Sequence, residues 1–142
     1  MALNTQLANA TVNAQGDALV ALLSNGYRRI YDGTQPTNAD TAIGAQVLLA
    51  ELRHGTPAAG ATSNGLITFN SFTADSSANN TGTPTWYRDF SSDGTTVVMD
   101  GTAGASGCNM NLTGLSAGQI IAGGNVAVSS ATHDVLNASS GL

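Results

Sequence analysis

Residue types that commonly carry out chemistry are scarce in this chain of 142 residues. Its two histidines, His54 and His133, are far apart, and neither has another histidine or a cysteine nearby. Because zinc sites are built from clustered His, Cys, Asp or Glu ligands, this spacing predicts no metal site. Cys108 is the single cysteine and has no base beside it in the sequence. We interpret it as an inert thiol rather than a nucleophile.

The nine acidic residues are spread along the chain. Asp32, Asp93 and Asp100 each precede a glycine, which is typical of turns, where the carboxylate hydrogen-bonds the local backbone. Calcium bound by these aspartates is the alternative interpretation. A glycosidase needs two facing carboxylates, and the spacing of the acids indicates no such pair. The glycine-rich segments lack the lysine of a phosphate-binding loop. We therefore predict no catalytic, cofactor-binding or metal site, and no enzyme.

Trp86, Tyr87 and Arg88 form the densest cluster of large side chains. If residues 83–90 form a strand, Trp86, Arg88 and Phe90 share one face and Tyr87 the other. An exposed tryptophan or tyrosine would suit a carbohydrate-binding or receptor-binding module, as a platform on which a sugar ring stacks. A sandwich more often buries its single tryptophan, and we favour the core for Trp86. Arg88 either extends to the edge of the sheet or pairs with an acid.

Composition limits the class of partner. Only 9% of residues are charged, the net charge is −5, and the four cations are all arginine. Nucleic-acid binding needs a basic stripe, and an anionic membrane surface would repel this chain, so we predict neither partner. The start of the chain lacks the pattern of a signal peptide. A surface so poor in charge indicates coverage by copies of the chain or by partners, or else a secreted or particle-bound environment.

Residues 1–25 are predicted to form a helical segment. Apolar residues recur at helical spacing, and Asn25-Gly26 is a favourable helix stop. Gly16 weakens the middle by about 1 kcal/mol relative to alanine, so the helix could break there. The stripe either packs on the rest of the chain or forms an interface with another subunit. The candidate interface residues are Leu3, Leu7, Ala10 and Ala14, and Ala18 and Leu22 continue the same face.

Residues 26–142 are predicted to form the β body of what is overall one domain. Seven or eight short strands are expected, separated by turns rich in Gly, Asn and Asp. Residues 45–53 also fit a helix, but their length between two glycines favours a strand. The pattern predicts a mainly β fold, an antiparallel β-sandwich or jelly roll with an N-terminal helix. The expected strands are residues 27–31, 45–53, 66–73, 83–90, 95–99, 110–112, 119–121 and 125–135, with Asp93-Gly94 as a hairpin turn and Asp100-Gly101 as a strand end.

Four segments resemble a small virion structural protein family of tailed bacteriophages and prophages. They are residues 26–42 (GYRRIYDGTQPTNADTA), 48–53 (LLAELR), 81–88 (TGTPTWYR) and 93–101 (DGTTVVMDG), and the similarity covers about residues 16–134. The chain departs from the family at His54 and Ala59, where the family has aromatic residues, and its segment around Cys108 is atypical. The departures are expected to affect hydrophobic or subunit contacts rather than the fold.

The resemblance implies a component of a virion, assembled in the host cytoplasm. Small β proteins of this size serve as capsid decoration, or cement, proteins, which bind across major capsid protein subunits as dimers or trimers. The expected partners are therefore the major capsid protein or other virion proteins, together with copies of the chain itself. The alternatives are a collar, tail or fibre-associated subunit, and a carbohydrate-binding or receptor-binding β module.

Overall fold

The computed structural model describes residues 4–135 and contains one helix followed by seven strands. The helix, α1, spans Asn9–Leu23 without a break at Gly16 and ends at the predicted stop, where Asn25 adopts a left-handed φ of 58°. The helix begins at Asn9, so Leu7 precedes it, and Leu3 lies outside the described residues. The strands are β1 (Tyr27–Tyr31), β2 (Leu48–Arg53), β3 (Leu66–Thr68), β4 (Trp86–Phe90), β5 (Val97–Gly104), β6 (Met110–Thr113) and β7 (Ala127–Asp134).

The seven strands form a single curled sheet in the order β2-β1-β4-β5-β6-β7-β3. The prediction of a mainly β fold with an N-terminal helix is confirmed. The sheet is mixed, because β5 and β6 run parallel at Ala103 and Gly104, whereas the other pairings are antiparallel. Residues 105–109 join β5 to β6, and the parallel contact consists of two residue pairs. A fully antiparallel arrangement was expected, and this pair departs from it.

The chain between β3 and β4 links the two edges of the curled sheet. Phe69, just after β3, still donates its N–H to Ala131 of β7. Four residues later, Thr73 exchanges two backbone hydrogen bonds with Arg53 on β2, at 2.8 and 3.2 Å. Asn79 then donates to Leu49 of the same strand at 2.8 Å. Residues 69–80 therefore cover the backbone of the β2 edge, which would otherwise be free to pair with another strand.

Most of the predicted strands are present, but several differ in length from the prediction. Residues 48–53 are a strand, which resolves the ambiguity with a helix, and Asp93-Gly94 lies between β4 and β5 as predicted. The prediction that β5 ends at Asp100-Gly101 is wrong, because Gly101 pairs with Tyr87 and the strand continues to Gly104. The strand predicted at residues 119–121 is absent, and Gln119 and Ile120 form isolated bridges there.

Two groups of buried apolar side chains form the core. The larger group lies in the curl of the sheet and includes Ile30, Leu49, Tyr87 and Met110. The smaller group joins Val20 and Leu23 of α1 to the sheet. The loops of residues 55–64 and 75–82 each contribute buried alanines, namely Ala58, Ala59 and Ala78. These loops are therefore fixed by packing.

Candidate interaction surface

A buried ion pair, Arg28 with Asp89, joins β1 and β4, the second and third strands from one edge of the sheet. Strand pairing places the two residues opposite each other on β1 and β4. Arg28 Nε and Nη2 donate to the two carboxylate oxygens of Asp89 at 2.7 and 2.6 Å, and neither side chain is exposed. The Nε2 of His54 lies 3.0 Å from Asp89 Oδ1 and donates to it, since a carboxylate can only accept. His54 is also buried, at 3% exposure.

Aromatic rings surround the guanidinium of this pair. The Cζ of Arg28 lies 3.8 Å from the ring centroid of Tyr87, 4.7 Å from that of Phe69 and 4.9 Å from that of Phe72. Burial alone would raise the pKa of Asp89, but the charge of Arg28 and the hydrogen bonds from Arg28 and His54 lower it. Asp89 is thus held as a carboxylate by Nε and Nη2 of Arg28 and by His54, while Arg28 Nη1 is directed at the sulfur of Met110. Its role in this setting is to position strands, because neither side chain of the pair is exposed to solvent.

The other face of the same strands carries two further arginine–acid pairs. Arg29 Nε donates to Glu51 Oε2 at 2.6 Å, and Arg88 donates to both oxygens of Asp100 at 2.7 and 2.8 Å. Arg88 thus pairs with an acid, one of the two alternatives expected for it, and its side chain is 3% exposed. Asp100 lies within β5 and serves this pair, so its interpretation as a turn residue is wrong.

Arg53, on β2, has no carboxylate partner among the described residues. Its Nη1 donates to the hydroxyl of Tyr27 at 2.8 Å, and its Cζ lies 4.4 Å from the centroid of the Tyr27 ring. Its Nε is buried and has no acceptor within the part of the chain that the structure describes. Three of the four arginines are therefore neutralised within the fold and one is not.

Trp86 and Tyr87 are both fully buried, so neither forms a platform for a sugar ring. Trp86 stacks on Tyr31 with ring centroids 4.7 Å apart, and its indole Nε1 donates to the Asp32 carbonyl at 3.1 Å. Burial raises the pKa of Tyr87 to about 12. The preference for Trp86 in the core is confirmed, and the carbohydrate-binding alternative loses the two residues on which it was based.

The remaining candidate groups are dispersed. Asp93 accepts hydrogen bonds from the hydroxyl of Thr96 and from the backbone N–H groups of Thr95 and Thr96. Together these bonds hold the pKa of Asp93 well below its usual value. Asp93 therefore acts locally, as predicted. The prediction of a local bond is wrong for Asp32, whose carboxylate accepts from the N–H of Val47, fifteen residues away. Cys108 is partly exposed and donates to the Ser106 carbonyl. Across residues 4–135, no three His, Cys, Asp or Glu side chains are grouped so as to hold a metal ion.

Burial lowers the pKa of His133, and the nearby charge of Arg28 adds to the effect. His133 is half-buried and lies opposite Ile67 in the pairing of β7 with β3. His54 thus bonds Asp89, the partner of Arg28, and the charge of the same arginine acts on His133. The separation of the two histidines in sequence hid this relationship. As for membranes, the helix within the described residues is too short and too polar to cross a bilayer.

Helix α1 exposes most of the predicted apolar face. Its buried residues are Val12, Gly16, Val20 and Leu23, which lie on a different face of the helix. The exposed helix stripe is formed by Ala10, Ala14, Ala18 and Leu22, the last 59% exposed. Leu7 is half-buried. The alternative in which this stripe packs on the chain's own β body is therefore wrong for Ala10 and Ala14, and their role in an interface stays a prediction.

The buried face of α1 is anchored to the loop before β3. Gly16 lies against the side chain of Thr62, and a Cβ placed on it would lie 2.6 Å from Thr62 Cγ2. Asp17 accepts from the Thr62 N–H at 2.8 Å, which keeps the pKa of its carboxyl below the usual range. Asn13 Oδ1 accepts from the Gly65 N–H at 2.9 Å. These polar anchors fix which face of the helix turns outward, and the apolar pattern alone did not reveal them.

His54 and Ala59, the two positions at which the sequence differs from the family that it resembles, are both buried. His54 is buried against Asp89, Phe69 and Phe72, with its ring centroid 4.7 Å from that of Phe72. Ala59 is 3% exposed and bridges to Phe69. Neither side chain reaches the surface, so their effect is on internal packing rather than on a subunit contact.

No family model, curated protein sequence or solved structure matches this chain.

Proposed function

We propose that this chain is a structural protein of a tailed-bacteriophage particle, and specifically a capsid decoration protein. In this proposal it binds across major capsid protein subunits as a dimer or trimer and stabilises the head. The sequence resemblance over about residues 16–134 suggests the particle. The arrangement of α1 suggests how the chain is held there.

The observation that carries the proposal is the exposed helix stripe. Gly16, Asp17 and Asn13 anchor one side of α1 to the body, so the other side is presented to solvent in a fixed orientation. That side offers small alanine side chains, which permit close approach of a neighbouring backbone, and ends in Leu22 at 59% exposure. An exposed leucine alone needs no explanation, but a rigid alanine-rich helix face beside it suits contact with another subunit.

The placement of charge supports the same proposal. Arg28, Arg29 and Arg88 are used in ion pairs within the sheet. The outer surface is therefore left with neutral hydroxyl and amide groups and with exposed acids such as Asp40. Depletion of charge at the centre of a contact is typical of protein interfaces.

The proposed mechanism is mass action. A protein that binds only the assembled shell stabilises that state by RT ln(1 + [L]/Kd), about 2.7 kcal/mol at a concentration one hundred times the Kd. Contacts that span two capsid subunits oppose their separation. Repetition of the contact over the particle adds avidity without any new chemistry.

The decisive experiment is to count copies of the chain in purified particles by quantitative gel against the major capsid protein. A decoration protein is present in hundreds of copies, and this is the expected result. A few dozen copies at most would indicate the collar, tail or fibre-associated alternative. Absence from particles that were assembled in its presence would overturn the proposal altogether.

A further inference from the structure

We infer that Arg53 forms a binding site for a carboxylate supplied from outside the chain. The site comprises Arg53, Tyr27 and Thr73, and is called the Arg53 site below. The inference rests on the pairing of charges and does not depend on the particle assignment.

Charge pairing in this fold sets Arg53 apart. Each of the other three arginines donates to a carboxylate at 2.6–2.8 Å. The nearest acids to Arg53 along the sheet are already occupied. Glu51, two residues earlier on β2, accepts from Arg29, and Asp75 accepts from the backbone N–H groups of Glu51 and Ser77.

The contacts that Arg53 does make leave donor capacity unused. Nη1 carries two hydrogens and uses one for the Tyr27 hydroxyl. No described residue accepts a hydrogen bond from Nη2. This nitrogen is not one of the buried side-chain atoms without a partner, so solvent reaches it. The two terminal nitrogens of the guanidinium fork are therefore available together, which is the geometry that a carboxylate accepts as two parallel bonds.

The surroundings suit a small planar anion. A cavity of about 210 Å³ is lined by Tyr27, Glu51, Leu52, Arg53, Thr73 and Ala74. The carboxylate of Glu51 in this lining is paired with Arg29, which offsets its charge toward an incoming anion. Tyr27 lies between two cations, with Arg53 Cζ at 4.4 Å and Arg29 Cζ at 5.6 Å from its ring centroid. Stacking on the ring fixes the guanidinium plane, so little side-chain freedom remains to be lost when a carboxylate binds.

The unused groups of Arg53 are hydrogen-bond donors on a positively charged side chain. They therefore favour a carboxylate over a neutral sugar or a positively charged ligand. It could belong to an Asp or Glu of another protein copy, since this chain exposes several aspartates of its own, or to a small free acid. In both cases the ligand is a single planar carboxylate, which accepts hydrogen bonds from the two terminal nitrogens of Arg53.

The first test uses the full chain and two blocked tripeptides, acetyl-Gly-Asp-Gly-amide and its Asn counterpart, followed by NMR. We expect the Asp peptide to shift the Arg53 Nε–H and Tyr27 ring signals to saturation, while the Asn peptide leaves them unchanged. Arg53→Gln removes the charge and both parallel hydrogen bonds, and should weaken binding about tenfold or more. Arg53→Lys, which keeps charge but not the fork, should lie between. Equal shifts with both peptides, or unchanged binding by Arg53→Gln, would overturn the inference.

The second test identifies the source of the carboxylate by sedimentation equilibrium. If a second copy supplies it, the wild-type chain associates, and either Arg53→Gln or an excess of the Asp peptide weakens that association by the same factor. If the source is a free acid, neither Arg53→Gln nor the Asp peptide changes the association of the chain, while the wild-type chain still binds the peptide. Each arm uses wild-type protein as well as the variant, so a variant that fails to fold still leaves the peptide comparison decisive.

Discussion

Arg28 and Asp89 face each other across β1 and β4 as direct partners in the strand register, and their side chains form two hydrogen bonds with no exposure to solvent. Bringing two charges out of water is costly, and their attraction repays this only when the geometry is good and the remaining donors are used. Here Arg28 bonds both oxygens of Asp89, His54 donates to the same carboxylate, and three aromatic rings surround the guanidinium. The pair therefore fixes the register of β1 against β4.

Asp89→Asn should destabilise the chain by about 3–5 kcal/mol, because Arg28 would stay buried without a counter-charge. Urea unfolding of the variant and the wild type measures this difference. Asp40→Asn is the matched control, since Asp40 is exposed, and it should change the free energy of unfolding by less than about 0.5 kcal/mol.

The double variant Arg28→Met with Asp89→Leu separates the loss of a contact from the burial of an unpaired charge. Replacing a buried ion pair with apolar side chains is often close to neutral. We expect the double variant to be more stable than Asp89→Asn. If Asp89→Asn proved as stable as the wild type, the central role of this pair would be refuted.

The stability of the chain should fall as the pH falls from about 7.5 to 5, and His133 should account for part of the loss. Burial and then Arg28 lower the pKa of His133 in the folded state. The unfolded chain, in which histidine titrates near 6.5, then binds the proton more readily, so stability is fully present above 6.5 and is lost below it. Urea unfolding at several pH values should show a smaller loss for His133→Gln.

The same experiment below pH 4 provides an internal comparison. The folded state lowers the pKa of the Asp89 and Asp17 carboxyls, so the stability they contribute is present above about 3.8 and is lost as the pH falls through the folded pKa values. His133→Gln should leave this acid limb unchanged. An identical profile for variant and wild type between pH 7.5 and 5 would show that His133 carries no such linkage.

The strands could be predicted because alternation and turn residues are local signals. The helix could be placed, but the outward direction of its faces could not, since Thr62 and Gly65 anchor it from nearly fifty residues away. The arginine pairs were equally hidden, because strand register alone brings Arg28 opposite Asp89. The extension of β5 through Gly101 also escaped prediction, since an Asp-Gly pair is normally a turn and here gives space to the Tyr87 ring.

Gly16→Ala should destabilise the chain by about 1–3 kcal/mol, although alanine is the better helix former. The added Cβ would overlap the side chain of Thr62, including Cγ2 at 2.6 Å. Thermal unfolding followed by circular dichroism measures the change. Gly60→Ala is the control, as no atom lies within 4 Å of a Cβ there. Combining Gly16→Ala with Thr62→Ala should recover part of the loss, and a stabilising Gly16→Ala would contradict the packing.

Arginine substitutions on the exposed helix stripe should impair assembly and spare folding. Ala10 and Ala14 are exposed, so Ala10→Arg and Ala14→Arg should alter the free energy of unfolding by less than about 0.5 kcal/mol. A long charged side chain in a close helix contact would, however, prevent the approach of a neighbouring backbone. The amount of each variant that co-sediments with particles should therefore fall well below that of the wild type.

Val20→Arg distinguishes an assembly defect from an unfolding defect. Val20 is 7% exposed and packs in the smaller core group, so this variant should lose folding and assembly together. Ala10→Arg and Ala14→Arg should lose assembly alone, with unchanged circular dichroism. If both stripe variants assembled as well as the wild type, this face of α1 would not be the surface that holds the chain in the particle, and the decoration proposal would need another contact.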